Sequence, residues 1–371
     1  MKTALVIGGT AASGLAIVEG LRRRGYRVTI YHRGTHELDE LLDLEHIHGD
    51  PHHRESIERD LGARAWDVAV ATYGRTRFLA EALRGRTGHF VGISGLPVVG
   101  ATLGLPTTEA TPYEIPENAP PGLAKILPLI AETEQRILAA GREGAFAATI
   151  IRYPYVYGPH AVAPLEWHVI RRVLDRRRRW IIQGAGLAII ARCASPNAAE
   201  FVLRALDRPE ASGGQIYNAA DSRQFSYREW IAMIGQICGW EFDFVDIPAA
   251  IAPLGSSGVP LAGEFSWVRR GDVENGVLRH QYVDTGKARK DLGYQDVVEP
   301  EAWIERTVRY WLDHPPVADG LNGRLGPADF DYGAEDRLLS FWDGVMHRRP
   351  DPGGAHVRAH PYDHPKPAVP G

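Results

Sequence analysis

Short apolar runs alternate with helix-like patterns along the first 160 residues of the chain. Apolar runs that end in glycine or a small polar residue are typical of buried parallel strands. We predict strands at TALVIG (3–8), RVTIY (27–31), EHIHGD (45–50), WDVAVAT (66–72), HFVGIS (89–94) and AATIIR (147–152). Apolar residues at helical spacing predict helices over 14–24 and 130–140. This alternation predicts an α/β fold, a parallel sheet with helices on both faces.

The alternation becomes irregular beyond residue 160. One short apolar run, QIYNAA at 215–220, predicts a strand that returns to the sheet. After about residue 315 the chain is rich in Pro, Gly, His and Asp. We therefore predict a C-terminal extension over 316–371, of which 350–371 is a poorly ordered tail.

Composition narrows the class of partner. The chain of 371 residues has a net charge of −4, which gives no reason to expect nucleic acid or an anionic membrane as its partner. Cys193 and Cys238 are its two cysteines, so we expect neither a disulfide framework nor a paired-cysteine metal motif. No apolar run approaches the roughly 18 residues of a membrane span, and the N-terminal run is too short for a signal peptide. We expect a soluble cytoplasmic protein.

The first strand is followed by an incomplete glycine motif. Gly8 ends the strand and Gly14 lies six residues further on, with Ala11 between them. In a complete G-x-G-x-x-G motif the glycines allow a tight turn, close approach of the backbone to a pyrophosphate, and packing of the helix on the strand. The N–H groups at the helix N-terminus then bind the phosphates. Alone, the pattern also fits an ordinary turn between strand and helix.

Further stretches follow in a characteristic order. They are Gly49-Asp50, FVGIS ending at Ser94, IIRYPYVYGP (150–159), IYNAA (216–220) and DTGKARKDLGY (284–294). The ordered set resembles the extended short-chain dehydrogenase/reductase superfamily, also called the NAD-dependent epimerase/dehydratase family, over roughly residues 1–312.

The resemblance implies a doubly wound Rossmann-type sheet with a smaller C-terminal substrate-binding part. We expect a dinucleotide-binding domain over 1–160, completed by a strand near 215–220. Residues 161–315 would form mainly the substrate-binding part, and 316–371 the extension. The family's pairing of subunits implies a homodimer.

The same resemblance implies the residues of a cofactor site. The pyrophosphate would be bound at the glycine turn, by Gly8, Gly9, Thr10, Ala11, Ser13 and Gly14. Asp50 would lie near the adenine, or alternatively serve only as a turn residue before Pro51. Ala71 and Thr72 would line the cofactor at the end of the fourth strand, and the backbone from Tyr153 to Val156 would meet the nicotinamide.

The end of the second strand bears on the choice of nicotinamide. A carboxylate about 20 residues past the glycine turn binds the ribose of NAD, whereas a nearby arginine accommodates the 2′-phosphate of NADP. Here the chain reads Tyr31-His32-Arg33-Gly34, with no carboxylate until Glu37. We expect Arg33, assisted by His32, to bind the phosphate. NADP(H) is therefore favoured over NAD(H), and the alternative is a solvated loop arginine.

The family's acid–base pair is missing from the helix that should contain it. The resemblance implies a Ser or Thr, which Ser94 supplies, followed by Tyr-x-x-x-Lys. The helix reads GLAKILPLIAETEQRIL, and the residue four before its lysine, Lys125, is Pro121. Alignment by the later glutamates puts the tyrosine slot within 124–126 and the lysine slot within 128–130, again without a match. Pro128 would also disturb a regular helix.

Other residues are candidates for the proton transfer. Besides Ser94, we consider Lys125 and Tyr155 as catalytic residues, with Tyr113 and His160 as further acids in the neighbourhood. Water or Ser94 alone is another route. The third possibility is that the protein binds a dinucleotide without turnover.

The substrate region lacks a diphosphate clamp. Sugar-nucleotide enzymes of the family place an arginine shortly after a G-x-G loop, but Leu187 to Ile190 are apolar and Arg192 comes two residues late. We expect a small, fairly apolar substrate, such as a secondary metabolite. The hypothesis is an oxidoreductase: an NADPH-dependent reductase of a carbonyl or similar group. The alternatives are a non-catalytic sensor or scaffold and a sugar-nucleotide epimerase or dehydratase.

Two charged stretches are interpreted without a ligand. We expect Arg176 to Arg179 to form a solvated face beside a helix end. The tail histidines His356, His360 and His364 resemble a metal-binding tract in composition only, so we expect no metal site.

Overall fold

Seven parallel strands form the central sheet of the part of the chain that the computed structural model describes, namely residues 1–96, 105–113, 121–252, 280–316, 330–351 and 353. The strands in chain order are β1 Thr3–Ile7, β2 Arg27–His32, β3 Glu45–His48, β4 Trp66–Ala71, β5 Thr87–Gly95, β6 Ala147–Tyr153, β7 Tyr155–Tyr157, β8 Arg179–Ile182, β9 Arg192–Ala194, β10 Gln215–Asn218 and β11 Asp243–Asp246. The sheet order is β10-β6-β5-β4-β1-β2-β3. This is the Rossmann order with an added strand, and β10 is the returning strand, paired with β6.

Helices cover both faces of this sheet. Their bounds are α1 Ala12–Arg23, α2 Arg54–Leu61, α3 Thr76–Ala82, α4 Pro121–Arg142, α5 Glu166–Leu174, α6 Ser195–Asp207, α7 Pro209–Ser212, α8 Tyr227–Ile237, α9 Gly286–Leu292, α10 Pro300–Asp313 and α11 Tyr332–His347. Short 3-10 helices lie at Asp39–Leu41 and Gly184–Gly186. The predicted fold class, a doubly wound α/β protein, is confirmed.

Strand β1 shows why its apolar run is continuous. Ala4 and Val6 lie in the core that includes residues of α1 and α6. Leu5 and Ile7 lie in the core on the other side, with residues of α2, α3 and α4. All four side chains are fully buried. Because alternate residues point to opposite faces, a strand covered on both faces needs apolar residues at every position.

A second core lies beyond residue 154. Two small parallel pairs, β7 with β9 and β8 with β11, frame it, and helices α5, α8 and α10 contribute its apolar side chains. Ser226 caps α8 and forms a reciprocal capping box with Glu229. None of the helices in the described ranges is long and apolar enough to cross a membrane.

Helix α11, in the C-terminal extension, packs beside β8 and β11 through apolar residues such as Leu339 and also through charged residues. Arg177 contacts Glu335, with Nη2 and Oε2 3.3 Å apart, and Arg179 contacts Asp343 at 2.7 Å. The expectation that the arginine run forms a solvated face is therefore wrong for Arg177, whereas Arg179 and its partner are exposed. Glu335 is fully buried and also lies 3.9 Å from the buried Arg172. Burial raises the pKa of Glu335 and lowers the pKa of Arg172.

The buried carboxylate predicts a measurable effect on stability. Replacing Glu335 by alanine removes the negative charge beside the buried Arg172 guanidinium, and breaking a buried pair in this way costs about 3–5 kcal/mol. We expect Glu335→Ala to lower the free energy of unfolding in urea by that order. Asp343→Ala removes an exposed partner of Arg179 on the same helix and is the matched control, expected to change stability little. Equal effects of the two substitutions would contradict the prediction.

Candidate functional site

The glycine turn after β1 has the geometry of an anion-binding site. Gly8 and Gly9 have φ of 104° and 82°, values that favour glycine. A Cβ on Gly14 would lie 2.7 Å from the Cα of Gly9, so the helix can approach the turn only without a side chain there. Position 11 does not require glycine, because the φ of Ala11 is −109°. It caps α1 without a side-chain hydrogen bond, and the first turn has no acidic residue, so the helix N-terminus suits a phosphate.

The end of β4 lies directly against this turn. Both the backbone N–H and the hydroxyl of Thr72 donate to the carbonyl of Ile7, at 3.0 and 2.8 Å. A Cβ on Gly8 would lie 2.2 Å from Thr72 Oγ1. Ala71 and Thr72 therefore stand beside the turn, as the family resemblance implies, and the residues present fit a dinucleotide.

Arg33, Asp50, His52 and Tyr73 gather at the ends of β2, β3 and β4. The Arg33 guanidinium lies 5.5 Å from the centre of the Tyr73 ring, whose other neighbour is His52, with ring centres 4.6 Å apart. The Asp50 carboxylate accepts hydrogen bonds from the backbone N–H and imidazole of His52, both at 2.9 Å. The backbone hydrogen bond is the main cause of its lowered pKa. These bonds fit the turn role of Asp50, and its partly exposed carboxylate also fits the adenine role.

The predicted role of His32 is not supported. Its side chain is buried, and its Nε2 lies 2.8 Å from Nδ1 of His46. Burial lowers the pKa of His32, although the Glu37 carboxylate opposes this shift, so the ring is a weaker phosphate ligand than a charged imidazole. Glu37, the first carboxylate after β2, lies within 3.5 Å of the same imidazole. Of the predicted phosphate ligands, Arg33 remains exposed at the strand end.

A buried polar cluster surrounds Ser94 at the carboxyl end of β5. Register pairs Ser94 with Arg152 on β6, and Arg152 forms a two-pronged ion pair with Glu134 of α4, with Nη2 and Oε2 2.7 Å apart. The Ser94 hydroxyl donates to Oε1 of Glu134. The Tyr113 hydroxyl donates to Oε2 at 2.8 Å. Two hydroxyl groups thus share one buried carboxylate.

The charges of this cluster affect Tyr113. Burial is the main cause of its raised pKa, and the neighbouring Glu134 carboxylate adds to the shift, while Arg152 opposes it. The guanidinium of Arg152 lies 5.1 Å from the ring centre. The ion pair with Glu134 raises the pKa of Arg152 despite its burial. Tyr113 is consequently a neutral phenol at physiological pH.

The places where the family carries its tyrosine and lysine are apolar here. Counting back eight residues from Glu134, which lies beside Ser94, brings the tyrosine slot to Ile126 and the lysine slot to Ile130. Ile126 is 49% exposed, and Ile130 packs on a small apolar cluster that includes Leu96 and Val283. Helix α4 continues through Pro128, contrary to the expected disturbance. Lys125 is exposed in the first turns of this helix.

Tyr155 and Tyr153 have structural hydrogen bonds. The Tyr155 hydroxyl lies 3.0 Å from Glu166 Oε2, to which it donates a hydrogen bond. It also accepts a hydrogen bond from the N–H of Leu165 at 2.8 Å. Burial raises its pKa well above the ordinary value. This arrangement favours a structural role for Tyr155 over the predicted catalytic one. The Tyr153 hydroxyl donates to the carbonyl of Ala198 in α6, so only its backbone faces the sheet edge.

His160 also has its own partner. Its Nδ1 lies 3.2 Å from the Tyr310 hydroxyl, and burial lowers its pKa. Among the candidate acids Lys125, Tyr155, His160 and Tyr113, the described hydrogen bonds connect Tyr113 to Ser94, through Glu134. In the sequence, the one sign of this arrangement was Glu134 itself, which lies eight residues after the expected tyrosine slot at position 126.

The wall beside the glycine turn is apolar. A pocket of about 210 Å³ lies between the start of α1, at Ala11 to Ser13, and the segment from Tyr155 to Leu165. Arg192 is buried, and its guanidinium lies 4.3 Å from the centre of the Trp230 ring. The N–H of Ile189, in the apolar segment Leu187 to Ile190, donates to His280 Nδ1, a residue distant in the sequence.

Comparison with known proteins supports the fold and the family. The model of the NAD dependent epimerase/dehydratase family matches residues 59–220. The predicted family resemblance is therefore confirmed over this stretch, which is shorter than expected. Among curated proteins no significant sequence match is found.

Solved structures share most of the fold at low sequence identity. A dTDP-glucose 4,6-dehydratase from Bacillus anthracis in complex with NAD has a TM-score of 0.65 at 16% identity, covering 85% of this chain and 97% of its own. A UDP-glucose 4-epimerase from Thermotoga maritima with UDP-glucose has a TM-score of 0.65 at 18% identity, covering 84% and 99%. At these identities the likeness establishes the fold alone.

Proposed function

We propose that this protein is an NADPH-dependent reductase of a carbonyl or comparable unsaturated group in a small, fairly apolar molecule. The observation that carries this proposal is the pair of hydroxyl groups, Ser94 and Tyr113, on one buried carboxylate at the carboxyl edge of the sheet. Ligands of doubly wound folds bind at this edge.

The direction of the reaction follows from the proton chemistry. An oxidation of a substrate hydroxyl needs a base, and a tyrosine serves as one when a neighbouring cation lowers its pKa. Here the lysine slot is the apolar Ile130, and the net environment raises the pKa of Tyr113. A reduction needs an acid instead, because the oxygen becomes an alkoxide, which is a far stronger base than a phenolate. The neutral phenol of Tyr113 suits reduction.

Ser94 and Tyr113 have distinct roles in this proposal. A reduced nicotinamide bound at the glycine turn would supply the hydride. Ser94 would donate a hydrogen bond to the substrate oxygen and so stabilise the negative charge that develops there. The O–H group of Tyr113 would turn from Glu134 toward that oxygen and donate its proton as a general acid. The Glu134–Arg152 ion pair would hold both hydroxyl groups in position, and is not itself a proton donor.

A sugar-nucleotide epimerase or dehydratase is the second candidate. It is favoured by the solved structures of similar fold, which include an epimerase with UDP-glucuronic acid and NAD. Both of these reactions begin by oxidising a sugar hydroxyl, so the absence of a lysine-activated tyrosine among the described residues of α4 weighs against them. A protein that binds NADPH without turnover remains the alternative outside the enzyme class, and its signature is tight cofactor binding without NADPH consumption.

Cofactor choice is tested at Arg33. The carboxylate of Glu37 contacts His32 and His48. In the loop after β2, it is therefore not placed to bind a ribose 2′-hydroxyl at the end of that strand. We expect Arg33→Ala to weaken NADPH binding roughly ten- to hundredfold, the worth of a charge-assisted hydrogen bond, with little effect on NADH. Fluorescence titration with both cofactors measures this. Arg22→Ala, an exposed arginine at the far end of α1, is the control. Tighter binding of NADH than of NADPH by the unchanged protein would refute the assignment.

Turnover is tested by removing each hydroxyl group in turn. With a panel of apolar ketones, aldehydes and enones, we expect NADPH to be consumed in proportion to product. Ser94→Ala should lower kcat by about 10²–10³ and Tyr113→Phe by about 10²–10⁴, with NADPH affinity nearly unchanged.

Tyr310→Phe, which removes only the hydrogen bond to His160, is the matched control. A Tyr113→Phe protein with normal turnover would exclude the proposed acid, and a loss of turnover in Tyr310→Phe alone would assign that role to His160 instead.

The second candidate has a direct binding test. The apolar segment Leu187 to Ile190 supplies no cation to a buried diphosphate, and the guanidinium of Arg192 lies on the Trp230 ring. We expect no heat of binding from UDP- or dTDP-sugars in calorimetry with NADPH-loaded protein. Micromolar binding of any of them would favour the epimerase or dehydratase function.

A further inference from the structure

Four potential metal ligands converge at one end of β2 and β3, away from Ser94. They are His32, Glu37, His46 and His48, and their ligand atoms all lie within 4.8 Å of one another. His46 and His48 are two residues apart on β3 and so share a face of the sheet. Register pairs His48 with His32, the last residue of β2, and Glu37 comes from the following loop. Strand pairing thus creates the cluster.

The distances from Glu37 to the three histidines are close to those of tetrahedral coordination. Ligands about 2.0–2.1 Å from a zinc ion at the centre of a tetrahedron lie about 3.3–3.4 Å from one another. Oε1 of Glu37 lies 3.2 Å from His48 Nε2 and 3.5 Å from His32 Nε2, and its Oε2 lies 3.4 Å from His46 Nδ1. The contact between His32 and His46 is shorter, at 2.8 Å, which is a hydrogen bond.

An outer hydrogen bond orients His46 for a metal. Its Nε2 lies 2.9 Å from the carbonyl of Leu41, which can only accept, so Nε2 carries the proton and Nδ1 turns its lone pair to the centre. Such a bond from the second ring nitrogen to a carbonyl is the usual support of a metal-bound histidine. In the metal-free state His32 Nε2 then donates to His46 Nδ1, and a bound metal ion would displace this proton.

We propose that these four side chains bind a divalent transition metal ion, with zinc as the best match. Three imidazoles and one carboxylate form a ligand set that zinc accepts. Since the chain itself fills all four positions, the site is structural and would pin the loop after β2 to the edge of the sheet. His48 is 59% exposed, which provides a path of entry for the ion. This proposal departs from the expectation of no metal site and does not depend on the proposed reductase activity.

The test uses the full chain without an added histidine tag. We expect stoichiometric Zn²⁺ binding in calorimetry, an intense visible spectrum of tetrahedral Co²⁺ on cobalt loading, and a rise in Tm with Zn²⁺. His46→Ala and His48→Ala should each weaken Zn²⁺ binding at least about a hundredfold, since loss of an outer partner alone costs ten- to a hundredfold. His48 is exposed, so His48→Ala should still fold.

Two controls separate this cluster from other histidines. His36 lies one residue before Glu37 and outside the cluster, so the His36→Ala protein should bind Zn²⁺ normally. Joint replacement of His356, His360 and His364 should also leave binding intact. Absence of Zn²⁺ binding, unchanged binding in His46→Ala and His48→Ala, or loss of binding on replacing the tail histidines would each overturn the proposal.

Discussion

The ion pair between Glu134 and Arg152 is the interaction on which the candidate site depends. Both side chains are almost completely buried, so each charge needs the other to offset the cost of leaving water. The pair joins α4 to β6, and the remaining lone pairs of the carboxylate accept hydrogen bonds from Ser94 and Tyr113. Because a buried carboxylate must satisfy its oxygens, the pair fixes two hydroxyl groups at the carboxyl edge of the sheet.

A second set of contacts holds the glycine turn at this edge of the sheet. Thr72 bonds both of its donors to the carbonyl of Ile7, and Gly14 lets α1 pack against Gly9. These contacts hold the N-terminus of α1 beside the end of β4. The position of the family's lysine is Ile130, in apolar surroundings, so this position supplies no cation. The glycine turn and the Ser94 cluster are therefore held by separate sets of contacts.

Features governed by local periodicity were predictable from the sequence. The apolar runs located the strands of the main sheet, and Gly8 and Ser94 marked strand ends, where ligands of a parallel sheet bind. Tyr155 and His32 show the limit of this reasoning. Both lie at the predicted positions along the chain, yet the direction of each side chain depends on partners far away or on another strand, Glu166 for one and His46 for the other.

The sequence by itself determined the fold class, the glycine turn and the lack of Tyr-x-x-x-Lys on α4, because each depends on residues close together in the chain. Only the tertiary structure decided which hydroxyl accompanies Ser94, since Tyr113 and Ser94 meet through a carboxylate on a third element. It likewise brought Glu37 to three histidines, and Arg177 and Arg179 to α11. Such contacts form where strand register and buried charge must be satisfied together, and no local pattern encodes them.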